Sequence, residues 1–157
     1  TEAQPVIRTG YNVEYYNQDI SNINDKILDL IYNYNEKGYK SIGIICRSEE
    51  ECLEKYSYLN NKGITSSLIS NEDSEYNGGI CVLTSELSKG LEFDGVIITN
   101  ASEENYSSKN MIDMKLLYVA MTRALHSLNI LYTDQLTKKI EKKWLKKYKK
   151  IILKIIE

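Results

Sequence analysis

Val82-Leu-Thr-Ser-Glu-Leu-Ser-Lys-Gly-Leu-Glu-Phe-Asp-Gly-Val-Ile-Ile98 sets two apolar runs on either side of a polar loop. Ile80–Thr84 and Gly95–Thr99 read as strands, because their apolar residues follow one another without helical period, as expected of strands buried on both faces. Upstream, Ser41-Ile-Gly-Ile-Ile-Cys46 has the same character. Ser48 with Glu51 three residues later forms a capping box, and Cys52, Leu53, Tyr56 and Leu59 place one apolar face on the helix that follows, with Gly63 at its stop. Ile64–Ile69 is then a strand, and Ser70–Gly79 a polar turn region.

The same alternation extends outward in both directions. Residues 13–17 (Val-Glu-Tyr-Tyr-Asn) form a short edge strand, and Ile20, Ile23, Ile27, Leu30, Ile31 and Tyr34 recur at helical spacing up to Gly38, a C′ glycine. Downstream come a polar loop over Ala101–Asn110, a helix marked by Met114, Leu117, Tyr118, Met121 and Leu125, and a strand over Leu128–Tyr132. A Lys-rich amphipathic helix is expected over Leu136–Ile156, within a tail of residues 134–157. Strands alternating with helices predict an α/β fold, a mostly parallel sheet with helices on both faces.

Composition sets the class. The chain has 157 residues, 42% hydrophobic and 27% charged, enough for one domain with its own core. No apolar run is long enough for a membrane helix, so no membrane partner is expected. Cys46, Cys52 and Cys81 are odd in number and lack C-x-x-C spacing, and His126 stands alone, which disfavours a disulfide framework and a metal site. The three cysteines are expected to be small core residues in a reducing cytoplasm. Charge is uneven: residues 138–157 carry nine lysines against Glu141 and Glu157, on an otherwise acidic chain. That basic end is read as the solvated face of a helix, with a nucleic-acid contact as the alternative. The chain opens Thr1-Glu2-Ala3 and is expected to be a piece of a longer polypeptide.

Neither G-x-x-x-x-G-K-[ST] nor G-x-G-x-x-G occurs, so the chain lacks a P-loop of its own. No G-x-S-x-G elbow is present either, and nucleophilic hydrolysis is disfavoured. Two segments remain. One is the loop carrying Lys89-Gly90 and Glu92-Phe93-Asp94; the other is Lys115-Leu-Leu-Tyr-Val-Ala-Met-Thr-Arg-Ala-Leu-His126. Arg123, one of three arginines beside 17 lysines, ends an otherwise apolar helix, where a planar bidentate cation is called for.

Lys89-Gly-Leu-Glu-Phe-Asp94 resembles motif V, and Leu117-Tyr-Val-Ala-Met-Thr-Arg-Ala124 resembles motif VI, of the UvrD/Rep-type superfamily 1 helicases. Arg47-Ser48 directly after its strand, Thr99-Asn100 and Leu125-His126 are similar to the HelD-like branch. The resemblance covers about residues 41 to 133. It implies that residues 1–157 are a single C-terminal RecA-like motor domain, of the kind called 2A, from a larger helicase. It implies ATP with Mg²⁺ bound in a cleft shared with an N-terminal RecA-like domain of the same polypeptide, which would hold the P-loop and the Mg²⁺ ligands.

Residue by residue, the resemblance makes Arg123 the catalytic arginine that reaches the γ-phosphate, with Gly90 and Glu92 beside the nucleotide. Gly90 serves either a close backbone approach or a turn with positive φ. Thr84 and Ser85 match the start of motif V, where the family touches single-stranded nucleic acid, although Ser85-Glu86 stands where many relatives carry histidine. Tyr118 and Thr122, four apart on one helix face, are candidates for coupling nucleotide state to the loop. Phe93 is expected to plug the core, and His126 to be a packing or surface residue. Relatives that act on RNA polymerase make polymerase a further candidate partner. The alternative reading is a non-catalytic RecA-like interaction module that binds nucleic acid or RNA polymerase.

Overall fold

A computed structural model describes residues 12–138 and 140 of the chain. Six strands form one sheet: β1 (Asn12–Asn17), β2 (Ser41–Cys46), β3 (Ser67–Leu68), β4 (Gly79–Thr84), β5 (Phe93–Ile98) and β6 (Ala124–Tyr132). Their order is β1-β6-β5-β2-β4-β3, and every pairing is parallel. Helices α1 (Ile23–Glu36) and α2 (Glu49–Asn61) cover one face, and α3 (Met111–Met121) covers the other.

The two-residue period of the strands sorts their side chains between these two layers. Ile42, Ile44, Cys46, Val82, Ile97 and Leu131 pack with α1 and α2, whereas Ile45, Cys81, Leu83, Val96, Ile98 and Ile130 pack with α3. Burial on both sides explains why these strands read as continuous apolar runs. Cys46, Cys52 and Cys81 are free thiols, all buried. Among the described residues, no helix is long and apolar enough to cross a membrane, and no group of three His, Cys, Asp or Glu is placed to hold a metal ion.

Local signals behave as their chemistry requires. Ser48 accepts from the Glu51 amide at 3.2 Å, the first half of a capping box. The reciprocal bond goes one residue further out: Glu51 Oε1 accepts from the Arg47 amide at 2.9 Å, and Oε2 from Thr99 Oγ1 at 2.7 Å. Gly38 and Gly63 end α1 and α2 with φ of +79° and +76°. Phe93 is fully buried, as expected of a core plug.

Several expectations are corrected. Ile20 is 74% exposed and lies before α1, which starts at Ile23. On α2 the buried positions are Cys52, Lys55 and Leu59, while Leu53 is 56% exposed. Lys55 is admitted because its Nζ donates to Asn24 Oδ1 and Glu54 Oε1, at 2.8 and 2.6 Å. β3 shrinks to two residues, since only Ser67 and Leu68 find partners at the sheet edge. β5 begins at Phe93 and β6 at Ala124, because these two residues pair with each other; Ala124 and Leu125 are therefore strand residues and not helix. Tyr106, in the loop read as polar, is 1% exposed. Leu136 forms an antiparallel bridge with Ser102, and the remainder of the predicted Lys-rich helix lies outside the described residues apart from buried Thr137, a turn at Lys138 and buried Ile140.

Candidate functional site

The residues singled out in the sequence fall on two opposite edges of the sheet. Thr84 ends β4 and Ser85 follows it at the carboxyl edge; Gly90, Glu92 and Arg123 precede β5 and β6 at the amino edge. α3 runs back across the sheet between those edges, and so delivers Arg123 beside the loop that leads into β5. The Phe93 amide donates to the Arg123 carbonyl at 2.9 Å, which fixes this neighbourhood through the backbone.

Arg123 is half-buried and held by its own domain on three sides. Nε donates to the Val119 carbonyl at 3.0 Å, Nη1 to the Leu91 carbonyl at 3.3 Å and Nη2 to Thr122 Oγ1 at 3.0 Å. Burial lowers the guanidinium pKa from its ordinary value, and the neighbouring Glu92 carboxylate opposes that shift. The group stays charged, since arginine does not deprotonate in proteins. Three contacts take one N–H from each nitrogen, which leaves one further N–H on each of Nη1 and Nη2. Each of these can donate to an oxygen of a phosphate or carboxylate.

Gly90 has φ of +87°, and a Cβ built there meets nothing within 4 Å. Of the two roles open to it in the sequence, the turn with positive φ is the one visible within this chain. Glu92, two residues on, is exposed. Asp94, at the end of the same stretch, is structural: Oδ2 accepts from the Lys40 amide at 2.8 Å, and its own amide donates to Ser41 Oγ at 2.8 Å, tying β5 to the start of β2. His126 is exposed, 3.8 Å from Asp94.

The other candidates sit deeper. Tyr118 is 1% exposed in the α3-side core, and its hydroxyl finds no partner among the described residues. Burial raises its pKa. Thr122, by contrast, touches Arg123 directly. Thr84 and Ser85 are 5% and 1% exposed. Thr84 Oγ1 accepts from the Leu87 amide at 3.4 Å, the Ser85 hydroxyl lies 3.4 Å from that of Tyr106, and the Ser85 carbonyl accepts from Ser88 Oγ at 2.7 Å. The Thr84 hydroxyl is thus turned into the turn that follows β4, and the Ser85 hydroxyl toward the loop that follows β5.

Two features had no signal in the sequence. Val119 and Leu91 hold Arg123 through their carbonyls, and a backbone acceptor leaves no trace in residue type. Arg47 pairs with Asp113 at 2.7 Å across 66 positions of the chain, at the carboxyl edge, with the guanidinium 5.9 Å from the centre of the Tyr106 ring. Three glutamates in the first turn of α2, Glu49 to Glu51, make this edge locally acidic.

Comparison with known proteins agrees with this architecture. Residues 79–131 match the family of UvrD-like helicase C-terminal domains. The chain is similar to the C-terminal domain of a possible DNA helicase from Lactobacillus plantarum WCFS1, with 28% identity and a TM-score of 0.69 over 85% of this chain and 83% of that one. In fold alone it resembles a chain in the complex of the E. coli DEAD-box protein SrmB with regulator of ribonuclease activity A, at 13% identity and a TM-score of 0.53 over 80% and 79% of the two chains. The PRRSV nsp10 helicase gives 10% identity and a TM-score of 0.51, over 87% of this chain and 27% of that one. No curated protein matches. The resemblance to UvrD-like helicase C-terminal domains carried by the two motifs is borne out, and the fold is RecA-like.

Proposed function

We propose, taking the UvrD-like helicase C-terminal domain as the premise, that this chain is the C-terminal motor domain of an ATP-dependent superfamily 1 helicase or translocase. It supplies one wall of an ATP site whose other wall is an N-terminal RecA-like domain of the same polypeptide. The observation that carries this reading is Arg123: a charged, half-buried guanidinium at the domain edge, anchored on three sides, with one N–H left over on each terminal nitrogen. Those residues fit half of a phosphate site. The chain has no glycine-rich phosphate loop, so the other half, with its Mg²⁺ ligands, belongs to the facing domain.

ATP with Mg²⁺, when bound there, supplies the phosphoryl group that is transferred to water. Arg123 stabilises the negative charge that develops on that group, a role worth about 10³–10⁵ in rate for arginines of this kind. Glu92 accepts a hydrogen bond from a ribose hydroxyl, and the Gly90 turn sets the height of the loop that carries it. Thr122, with Tyr118 behind it in the core, links Arg123 to α3 and couples nucleotide state to the domain. Thr84 and Ser85 are buried, so their part in contact with single-stranded nucleic acid is to shape the turn after β4 that faces it. Arg47-Ser48, Thr99-Asn100 and Leu125-His126 support a place in the HelD-like branch, and with it RNA polymerase as a partner.

The test uses the full-length protein. Arg123→Ala and Arg123→Lys each lower ATP turnover by on the order of 10³ or more with little change in KM, because the guanidinium acts on transition-state charge and lysine lacks the fork. A variant that retains most of the wild-type rate makes Arg123 structural. A full-length protein with no ATP turnover at all returns the chain to the class of interaction modules.

A further inference from the structure

We infer that Thr122 is a positioning residue whose hydroxyl sets the plane of the Arg123 guanidinium, an inference that rests on Arg123 facing the nucleotide. A hydroxyl has one proton and two lone pairs. In Thr122 that proton goes to the Val119 carbonyl, 2.9 Å away, so toward Arg123 Nη2, at 3.0 Å, the oxygen is an acceptor with a fixed orientation. Val119 O also accepts from Arg123 Nε at 3.0 Å. The three groups therefore close a ring: Val119 carbonyl, Thr122 hydroxyl, and the Nε/Nη2 edge of the guanidinium.

A planar group is oriented by three points. Val119 O and Leu91 O hold Nε and Nη1, but the Nη1 contact is the longest of the set at 3.3 Å, and Thr122 supplies the third point. Its consequence is at the N–H groups that remain. With the Nε/Nη2 edge occupied, each terminal nitrogen keeps one N–H for a phosphate oxygen, and the direction of both follows the plane of the group. Without the hydroxyl the guanidinium swings about its side-chain torsions and the fork is aimed only part of the time.

Full-length protein carrying Thr122→Val, which keeps the side-chain shape and removes the acceptor, should show a kcat about 10- to 100-fold lower with KM for ATP within about twofold of wild type. Thr122→Ser, which keeps the hydroxyl, should restore most of the rate. In an Arg123→Ala background, Thr122→Val should have no further effect, since nothing is left to aim. A wild-type kcat in Thr122→Val, a serine variant as slow as the valine one, or losses that add in the double mutant would each overturn the inference. The two readings separate cleanly: if Arg123→Ala keeps its rate the proposed function fails, whereas if Arg123→Ala is inactive and Thr122→Val is not, only the role of Thr122 fails.

Discussion

Arg123 and Leu91 are linked across 32 residues of chain: the guanidinium Nη1 donates to the Leu91 carbonyl at 3.3 Å, while the Arg123 carbonyl accepts from the Phe93 amide at 2.9 Å. The segment that leads into β5 and the segment that leads into β6 are thus stitched together twice at the amino edge of the sheet. A displacement of the guanidinium pulls on the loop that carries Gly90 and Glu92, and a displacement of that loop re-aims the guanidinium.

Gly90 is the lever on this link. Its φ of +87° costs an L-residue about 1 kcal/mol or more, while the empty space around its Cβ removes any steric objection. Gly90→Ala is expected to lower the unfolding free energy by about that amount in urea titrations, and Gly90→Asn by less, because asparagine tolerates the left-handed region. Equal losses for the two substitutions would place the cost in a lost contact and not in the backbone.

Gly43 and Gly95 are different, since there the obstacle is packing. A Cβ at Gly43 would lie 2.6 Å from Phe93 Cδ2, and one at Gly95 would lie 2.6 Å from Tyr34 Cε2. Both rings are fully buried, and the Tyr34 hydroxyl is further committed to the Val96 carbonyl at 2.9 Å. Gly43→Ala and Gly95→Ala are each expected to destabilise the fold by about 1–3 kcal/mol, with an unchanged denaturant slope. Adding Phe93→Leu should recover part of the loss at Gly43 and none at Gly95; recovery at both sites would contradict the assigned contacts.

Glu103 makes the fold sensitive to acid. Burial opposes its ionisation, but the Ser108 hydroxyl and amide, each at 2.7 Å, and the Lys138 amide, at 2.9 Å, outweigh this and hold the carboxyl down to about 2, against an ordinary 4.5. As pH falls below about 4.5, the unfolded chain takes up the proton first. The stabilisation is therefore complete above that value and is lost as pH falls toward about 2. Glu103→Gln should flatten stability against pH in this window, and a wild-type slope in the variant would show that other carboxylates carry the effect.

The amino-acid sequence alone determined the elements whose cues are local. The apolar run Ser41–Cys46 needs no partner to be read as a strand buried on both faces, Ser48 and Glu51 announce the start of α2, and Gly38 and Gly63 mark helix stops by the conformation only glycine adopts freely. The motif stretches around Gly90 and Arg123 were legible for the same reason, as short segments with fixed spacing. Tertiary structure decided what depends on neighbours remote in the chain. Lys55 rather than Leu53 faces inward because α1 presents Asn24, alongside Glu54, as acceptors for the Lys55 ammonium. Ala124 and Leu125 form strand rather than helix because β5 offers Phe93 and Gly95 as partners to Ala124 and Ser127. The orientation of Arg123 rests on the carbonyls of Val119 and Leu91, which every residue possesses and no side chain advertises; only the packing of α3 against the loop before β5 selects those two.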